Sequence, residues 1–500
     1  MQTWEYAPQF ALRTYCYLYP LVAVSKIYSF LLPVKPLASM LVSTAVTQDR
    51  MALFILLRAT LAGTMGWAEV SFLKAIAEQV PFHQSLDRQP LVTHTVSTAT
   101  AILLLTCAGM AHAAGALLPS SCFLLAWLVG ATAYVRQQLA VFVVVAVTAT
   151  LAIGWPFGVM CLAPMGLHIL WTARQPVQLL LGTLLYTILA QAAVMAVDYR
   201  CYGQLTLATY NIFRYNAQGG GDELYGVEPV LYYIKNAALN FNYLAALALL
   251  ILPVCMLRRI CGYPLPTPFI TLTGSLYMWL AMVVPRPHKE ERFLFPIYAI
   301  VCLSAVVVVE QLWLTVVGKT RRPYWMILLI PSSLLGVSRT MALSRYYTAP
   351  LAVYGSIAPT ATGLVCTCGE WYRFPSSFML PNETRLAFVK SSFTGQLPKQ
   401  FESTKIGTNF NDANTEETDR YVDLSECAYV VELDEAGASC TMQMDEGWTK
   451  VASYPYLDAA QTSSLHRVLY IPHLHERSTA VHYNSYSLYK QNTGESGMGK

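Results

Sequence analysis

Between Pro285 and Pro296 the chain reads PRPHKEERFLFP, which sets His288, Lys289, Glu290, Glu291 and Arg292 in a row between two stretches long enough to cross a bilayer. A charged group at the centre of a membrane costs roughly 2.5 to 3.5 kcal/mol even on lenient scales. The five side chains therefore belong at an interface or in a polar cavity. The plain reading is a stop signal flanking a span. Orientation signals, however, are clusters of Lys and Arg, whereas this run interleaves two acids and spaces Arg286, Lys289 and Arg292 three residues apart. If the segment is helical, that spacing stacks three cations on one face. Cations beside two carboxylates suit a departing phosphate and a reacting hydroxyl.

The elements that must carry this run are apolar. Of 500 residues, 55% are hydrophobic and 12% charged, against about 25% charged in an ordinary soluble domain. The composition predicts a polytopic α-helical membrane protein with the lipid bilayer as partner. A formal net charge of +4, spread between loops, gives no case for nucleic acid. Most of the twelve cysteines lie inside apolar runs, where they read as small hydrophobic filler. No zinc spacing is present, and no metal site is expected.

About 20 apolar residues cross the hydrocarbon core. On that measure ten spans are expected, at roughly 48 to 70, 91 to 111, 117 to 135, 139 to 156, 158 to 171, 178 to 197, 240 to 258, 268 to 285, 293 to 317 and 324 to 343. The fifth is short, and Pro156 and Pro164 support a broken or half-crossing helix. Threading them alternately gathers Lys74, Arg88, Arg136, Arg174, Arg258, Arg259, Lys319, Arg321 and Arg322 on one side, which the positive-inside rule makes cytosolic. The charged run, the N-terminus, the loop from 198 to 239 and everything after about Arg345 then share the opposite, lumenal side.

The domain reading has three parts: 1–47 as a lumenal, interfacial segment, 48–345 as the transmembrane domain, and 346–500 as a lumenal α/β or mainly β domain. The stretch from Trp4 to Pro33 mixes tyrosines with Arg13 and Lys26 and reads as interfacial helix. The loop from Asp198 to Leu239 is rich in tyrosine, flexes at Gly219-Gly220-Gly221, and carries Asp222, Glu223 and Glu228. It reads as a membrane-skimming lid or a structural interfacial loop. Arg58, Glu69 and Glu310 are charges within spans; Arg58 is the deepest, and the two acids are expected to snorkel. Beyond Ala349, strands are expected at Ala428–Glu432 and Val468–Pro472. Asn382-Glu-Thr384 is a glycosylation sequon. Cys366 with Cys427 is the first-choice disulfide, against free thiols.

The HKEERF run resembles the hallmark loop of glycosyltransferase family 22, the dolichyl-phosphate-mannose-dependent mannosyltransferases of the endoplasmic reticulum. QTWEYAPQFALRTYCYL near the start, GWPF at Gly154 to Phe157, LYGVEP at Leu224 to Pro229, LNFN at Leu239 to Asn242 and EWYRFPSSFMLP at Glu370 to Pro381 narrow it. So do GQLPK at Gly395 to Lys399 and Asp412-Ala-Asn414. Together they are similar to the α-1,2 branch of N-glycan precursor assembly over essentially the whole chain. The resemblance implies a GT-C fold, a lumenal active site, dolichyl-phosphate mannose as donor, a dolichyl-diphosphate-linked oligosaccharide as acceptor, and inversion at the anomeric carbon. No cofactor is implied. His288, Lys289 and Arg292 would stabilise the departing phosphate, with Glu290 and Glu291 orienting them or positioning sugar hydroxyls. Trp4, Glu5, Tyr6, Arg13, Tyr225 and Glu228 are acceptor or lid candidates. The family's base is an Asp-Glu pair in the first lumenal loop; the sequence is expected to begin just beyond it, so no base is assigned, and Glu5 belongs to the WEYxP match instead.

The readings left open are an α-1,6 or glycolipid-anchor mannosyltransferase, a non-catalytic paralogue, and a transporter, whose paired broken helices are not evident. Glycosylation-site scanning checks the topology: a sequon inserted near Glu495 should be modified and one near Arg321 should not, and the opposite pattern overturns it.

Overall fold

The computed structural model describes residues 1–31, 46–80, 91–217, 221–318, 323–373, 376–401, 409–435, 440–444 and 446–492. Arg88, Lys319, Arg321, Arg322, Gly219 and Gly220, used in the topology and lid readings, lie outside them. In chain order the helices are α1 (Tyr19–Leu31), α2 (Val46–Gln79), α3 (Leu91–Thr106), α4 (Ala108–Ala113), α5 (Pro119–Val135), α6 (Leu139–Ala152), α7 (Val159–Thr172), α8 (Pro176–Tyr202), α9 (Ala208–Ala217), α10 (Val230–Phe241), α11 (Tyr243–Leu249), α12 (Ile251–Ile260), α13 (Thr267–Val283), α14 (Tyr298–Val316), α15 (Ile330–Tyr347) and α16 (Ala349–Gly355). The chain divides into two units, one of Phe10–Pro20 and Arg58–Thr340, the other of Met1–Gln9, Leu21–Leu57 and Met341–Lys500.

The first unit is helical and built around α14. Every residue from Tyr298 to Gln311 is buried, as expected of a helix apolar on all sides. Helices α3, α11, α12 and α13 pack on it. By length and composition, four described helices suffice to cross a membrane: Arg50–Gln79, Pro176–Tyr202, Glu291–Val316 and Tyr324–Gly355. The span expected at 240 to 258 is a pair, α11 and α12, bent by 41°. Those expected at 91, 117, 139, 158 and 268 are apolar helices of 10–17 residues. Glu310 departs from expectation: it lies in the buried stretch of α14, 1% exposed, with Gln311 Nε2 donating to it at 3.3 Å. Buried packing on all sides of α14 leaves its side chain no route to an interface. Arg58 is exposed, its backbone beside Gly115.

The segment expected to be one interfacial helix is instead broken before α1, with 3-10 turns at Trp4–Tyr6 and Cys16–Leu18 and Ala11 at a φ of +42°. The cause is Asp198, fully buried near the end of α8. Its Oδ1 accepts from Thr14 Oγ1 and the Tyr15 amide, both at 2.9 Å. Tyr202 Oη donates to the Arg13 carbonyl at 2.5 Å. Gly154, at φ +67°, leaves the room: a Cβ there would come 2.8 Å from Thr14 Cγ2.

The second unit carries a five-stranded sheet of β1 (Gly363–Thr367), β2 (Thr384–Phe388), β3 (Cys427–Asp434), β4 (Trp448–Leu457) and β5 (Tyr483–Gln491) in the order β2-β1-β3-β5-β4. β1 pairs in parallel with β2 and β3, while β5 is antiparallel to both β3 and β4. One face packs Val365, Leu386, Val431 and Leu488 with Val353 and Tyr354 of α16. Cys366 of β1 is bonded to Cys427 at the start of β3, and Cys368, just after β1, to Cys440, which precedes the 3-10 turn Thr441–Gln443. The strand expected at Val468–Pro472 does not form. A short helix, α17 (Ser464–Val468), ends there, and Tyr470 turns inward to edge against Tyr346, at 5.7 Å between centroids. A ladder would also lack the amide of Pro472.

Glu432 on β3 is 3% exposed. Burial, with the nearby Glu370 charge adding to it, pushes its carboxyl up to about 8, against a backbone hydrogen bond from Gly369. An unfolded Glu ionises near about 4.3, so the stability of this unit should be full below that pH, fall as pH rises, and stop falling once the folded group ionises. Thermal melts of the detergent-solubilised protein should show Glu432→Gln raising Tm more at pH 8 than at pH 5; an equal effect at both would overturn this.

Candidate active site

The HKEER run is not helical. From Arg286 to Glu290 the chain is irregular, and a 3-10 helix over Glu291–Ile297 leads into α14. The three cations therefore do not share a helix face, and the reason is local: Pro285 and Pro287 bracket Arg286, and a proline disfavours the helical conformation in the residue before it.

Each side chain has a separate task. Lys289 is 6% exposed. Its ammonium donates to the Glu228 carbonyl at 2.9 Å and to that of Arg286, while the Glu228 amide donates to the Pro287 carbonyl at 3.1 Å. Lys289 thus staples the Gly226–Glu228 turn to the run; three donors on one ammonium make it suited to gathering carbonyls. His288 Nδ1 contacts the Gly226 carbonyl at 2.9 Å and Nε2 contacts Glu290 Oε1 at 3.0 Å. Both neighbours are acceptors, so the imidazolium form satisfies both. Arg292 grips Glu290 with two nitrogens, Nε to Oε2 at 2.5 Å and Nη2 to Oε1 at 2.6 Å, the fork geometry that strengthens such pairs. Burial pushes the Glu290 carboxyl up, but His288 and Arg292 together outweigh it and hold the group below its ordinary range. The carboxylate is thereby kept charged between two cations.

Glu291 faces other elements. Its Oε1 meets His112 Nε2 of α4 at 2.7 Å and accepts from Asn240 Nδ2 of α10 at 2.8 Å. Asn240 also donates to Tyr298 Oη at 3.1 Å. Behind the run stands an aromatic wall. Trp279 Nε1 donates to the Phe293 carbonyl at 2.6 Å, and Trp155 of GWPF lies 5.4 Å from Trp279 and 6.3 Å from Phe293 between centroids.

Of the remaining candidates, Tyr225 edges toward His288 at 6.4 Å, and Glu228 takes part through its backbone while its side chain is exposed. Arg13 lies in the same unit, its carbonyl held by Tyr202. Trp4, Glu5 and Tyr6 form a 3-10 turn in the sheet-bearing unit, as do Asn382, in an exposed turn where Arg50 reaches its side chain, and the Cys366–Cys427 pair in the sheet. Sequence reasoning missed His112. Its signal was available: an ionisable ring within the small-residue stretch AGMAHA is a functional hypothesis by default in an apolar chain. Asn240 was visible within LNFN but carried no role.

The arrangement can hold an anion against His288 and Arg292 and present carboxylate oxygens to hydroxyl groups. Residues 1–381 match the model of the Alg9-like mannosyltransferase family. The chain is 33% identical over 527 residues to the alpha-1,2-mannosyltransferase ALG9 of Mus musculus, and likewise to that of Homo sapiens, in each case covering 98% of this chain and 82% of the relative. It is 30% identical over 509 residues to the alpha-1,2-mannosyltransferase ALG9 of Saccharomyces cerevisiae, covering 94% and 84%. No solved structure matches significantly. With the match running through the charged run, α14 and the EWYRF segment alike, this chain belongs to the Alg9-like mannosyltransferase family.

Proposed function

We propose that the chain is an α-1,2-mannosyltransferase of N-glycan precursor assembly at the endoplasmic reticulum membrane. It moves mannose from dolichyl-phosphate mannose to a dolichyl-diphosphate-linked oligosaccharide, and the HKEERF run lies on the lumenal side with the region from 346 to 500. The observation that carries the reading is the charge cluster of His288, Glu290 and Arg292 at the entry to the buried helix α14, in a chain similar along its length to enzymes of that printed activity.

In the reaction the bond from the anomeric carbon to the dolichyl phosphate oxygen breaks as the acceptor hydroxyl oxygen attacks the opposite face, and the hydroxyl proton passes to a base. Negative charge grows on the departing phosphate, where preorganised cations contribute most. His288 and Arg292 are suited to that role. Lys289 adds a third positive charge to the run while its ammonium, donating to two backbone carbonyls, also fixes the turn. Glu290 holds the two cations in place. The exposed apolar residues Val227, Val230, Leu231 and Ile234, which follow the stapled turn, support a membrane-facing segment near the lipid donor. The Asn382 sequon and the Cys366–Cys427 bridge fit an oxidising, glycosylating compartment.

Arg292→Ala and His288→Ala should each lower mannosyl transfer at least about tenfold, since one lost charge-stabilising contact costs that or more, with membrane insertion unchanged. Arg292→Lys should also impair, because an ammonium cannot reproduce the two-nitrogen grip on Glu290. The readout is the size of the lipid-linked oligosaccharide in microsomes from cells lacking their own enzyme, at matched expression. Wild-type turnover by all three variants would sink the assignment.

A further inference from the structure

Glu290 and Glu291 are adjacent in sequence and differently employed. The donors to Glu290 come from within the run itself. Those to Glu291 come from α4 and α10, and both fall on one oxygen, Oε1. Among the described residues no protein group donates to Oε2, and the side chain is 34% exposed. A carboxylate with one oxygen pinned by two donors and the other open is oriented to receive a hydrogen bond from a ligand hydroxyl.

Three further observations concern His112. Among the described residues its Nδ1 is buried without a partner while Nε2 serves Glu291. Orphaned buried polar atoms are uncommon, and a ring that tolerates one is retained for what its other nitrogen does. Next, α4 is seated closely enough to fix that nitrogen: a Cβ on Gly109, three residues before His112 on the same helix face, would come 2.9 Å from the Tyr298 ring and 3.1 Å from both Asn240 Cβ and the Phe241 ring. Finally, Phe295 lies 5.6 Å from the imidazole between centroids and limits its tilt. Arg339 of α15 adds a favourable charge on the same carboxylate.

We infer that His112 is a positioning residue: with Asn240 it orients Glu291 so that Oε2 accepts a sugar hydroxyl of the lipid-linked substrate. The inference rests on the mannosyl-transfer reading above. It makes Glu291 a substrate contact and gives the second carboxylate of the run a task separate from the phosphate-facing cluster.

The test uses the whole protein in its native membrane, with synthetic dolichyl-phosphate mannose as the probe. His112→Phe keeps the ring's bulk and removes the donor; His112→Gln places an amide N–H near the position of Nε2. His112→Phe should lower kcat about tenfold or more with the donor KM changed by less than about threefold, the signature of a contact that matters in the transition state. His112→Gln should restore at least about a third of the rate. Because His112 acts through Glu291, the double variant His112→Phe/Glu291→Gln should be no slower than the slower single variant. A wild-type kcat in His112→Phe, equal impairment of the Phe and Gln variants, or additive losses in the double variant would each overturn the positioning role. Arg292→Ala, assayed alongside, separates the two readings. If it is impaired while His112→Phe is fully active, only the His112 role fails. If it, His288→Ala and Arg292→Lys all run at the wild-type rate, the reading of the whole run fails, and the His112 role with it.

Discussion

Everything around the candidate site follows from one juxtaposition: the charged run leads, through a single 3-10 helix, into a helix whose residues from Tyr298 to Gln311 are all buried. A charge at the mouth of such an apolar core is costly unless it is paired and hydrogen-bonded. The chain meets that demand group by group. Glu290 is matched by His288 and Arg292, Glu291 by His112 and Asn240, and Lys289 by two backbone carbonyls. The partners of Glu290 come from the run itself, and those of Glu291 from α4 and α10.

This division of labour explains why the run is compact. His288, Glu290 and Arg292 form a charge cluster within the run, anchored to the Gly226–Glu228 turn through the contact of His288 Nδ1 with the Gly226 carbonyl. Lys289 and Glu291 point away from it and tie in the Gly226–Glu228 turn, α4 and α10. The run is therefore both a candidate binding surface and the point where several helices are held in register. Small residues make the second role feasible, since in lipid helix association depends on close packing and polar contacts more than on hydrophobic burial; Gly109 against Tyr298 is the clearest instance. The Trp155, Trp279 and Phe293 wall backs the same run with rigid bulk.

The sheet-bearing unit obeys soluble-protein rules. One disulfide cross-links β1 and β3 and a second joins Cys368 to Cys440, and Arg373 pairs with Glu370 at 2.7 Å while its guanidinium lies over Tyr456 and Tyr372 at 5.0 and 5.1 Å. Glu370 and Arg373 are thus used to brace the sheet. Glu432 differs: among the described residues no cation pairs with its buried carboxyl, which is neutral below about pH 8 at the cost of a pH-dependent stability.

The sequence alone determined what depends on composition and on short, contiguous patterns. Apolar length placed helices near all ten expected spans, the strand-like run at Ala428–Glu432 placed β3, and the HKEERF, EWYRF and GWPF stretches pointed to the family. It did not reveal the path at Thr14 and Tyr15, because a buried Asp198 more than 180 residues away holds them. It misjudged Glu310 and Val468–Pro472, whose neighbours are set by packing. Residue type showed that Lys289 carries a charge but not the two backbone carbonyls to which its ammonium donates. Above all it passed over His112, which has no motif around it. Only the tertiary structure, by laying α4 against Tyr298 and α10, brings that imidazole to Glu291, because a hydrogen bond between residues 179 apart depends on helix packing that no local pattern encodes.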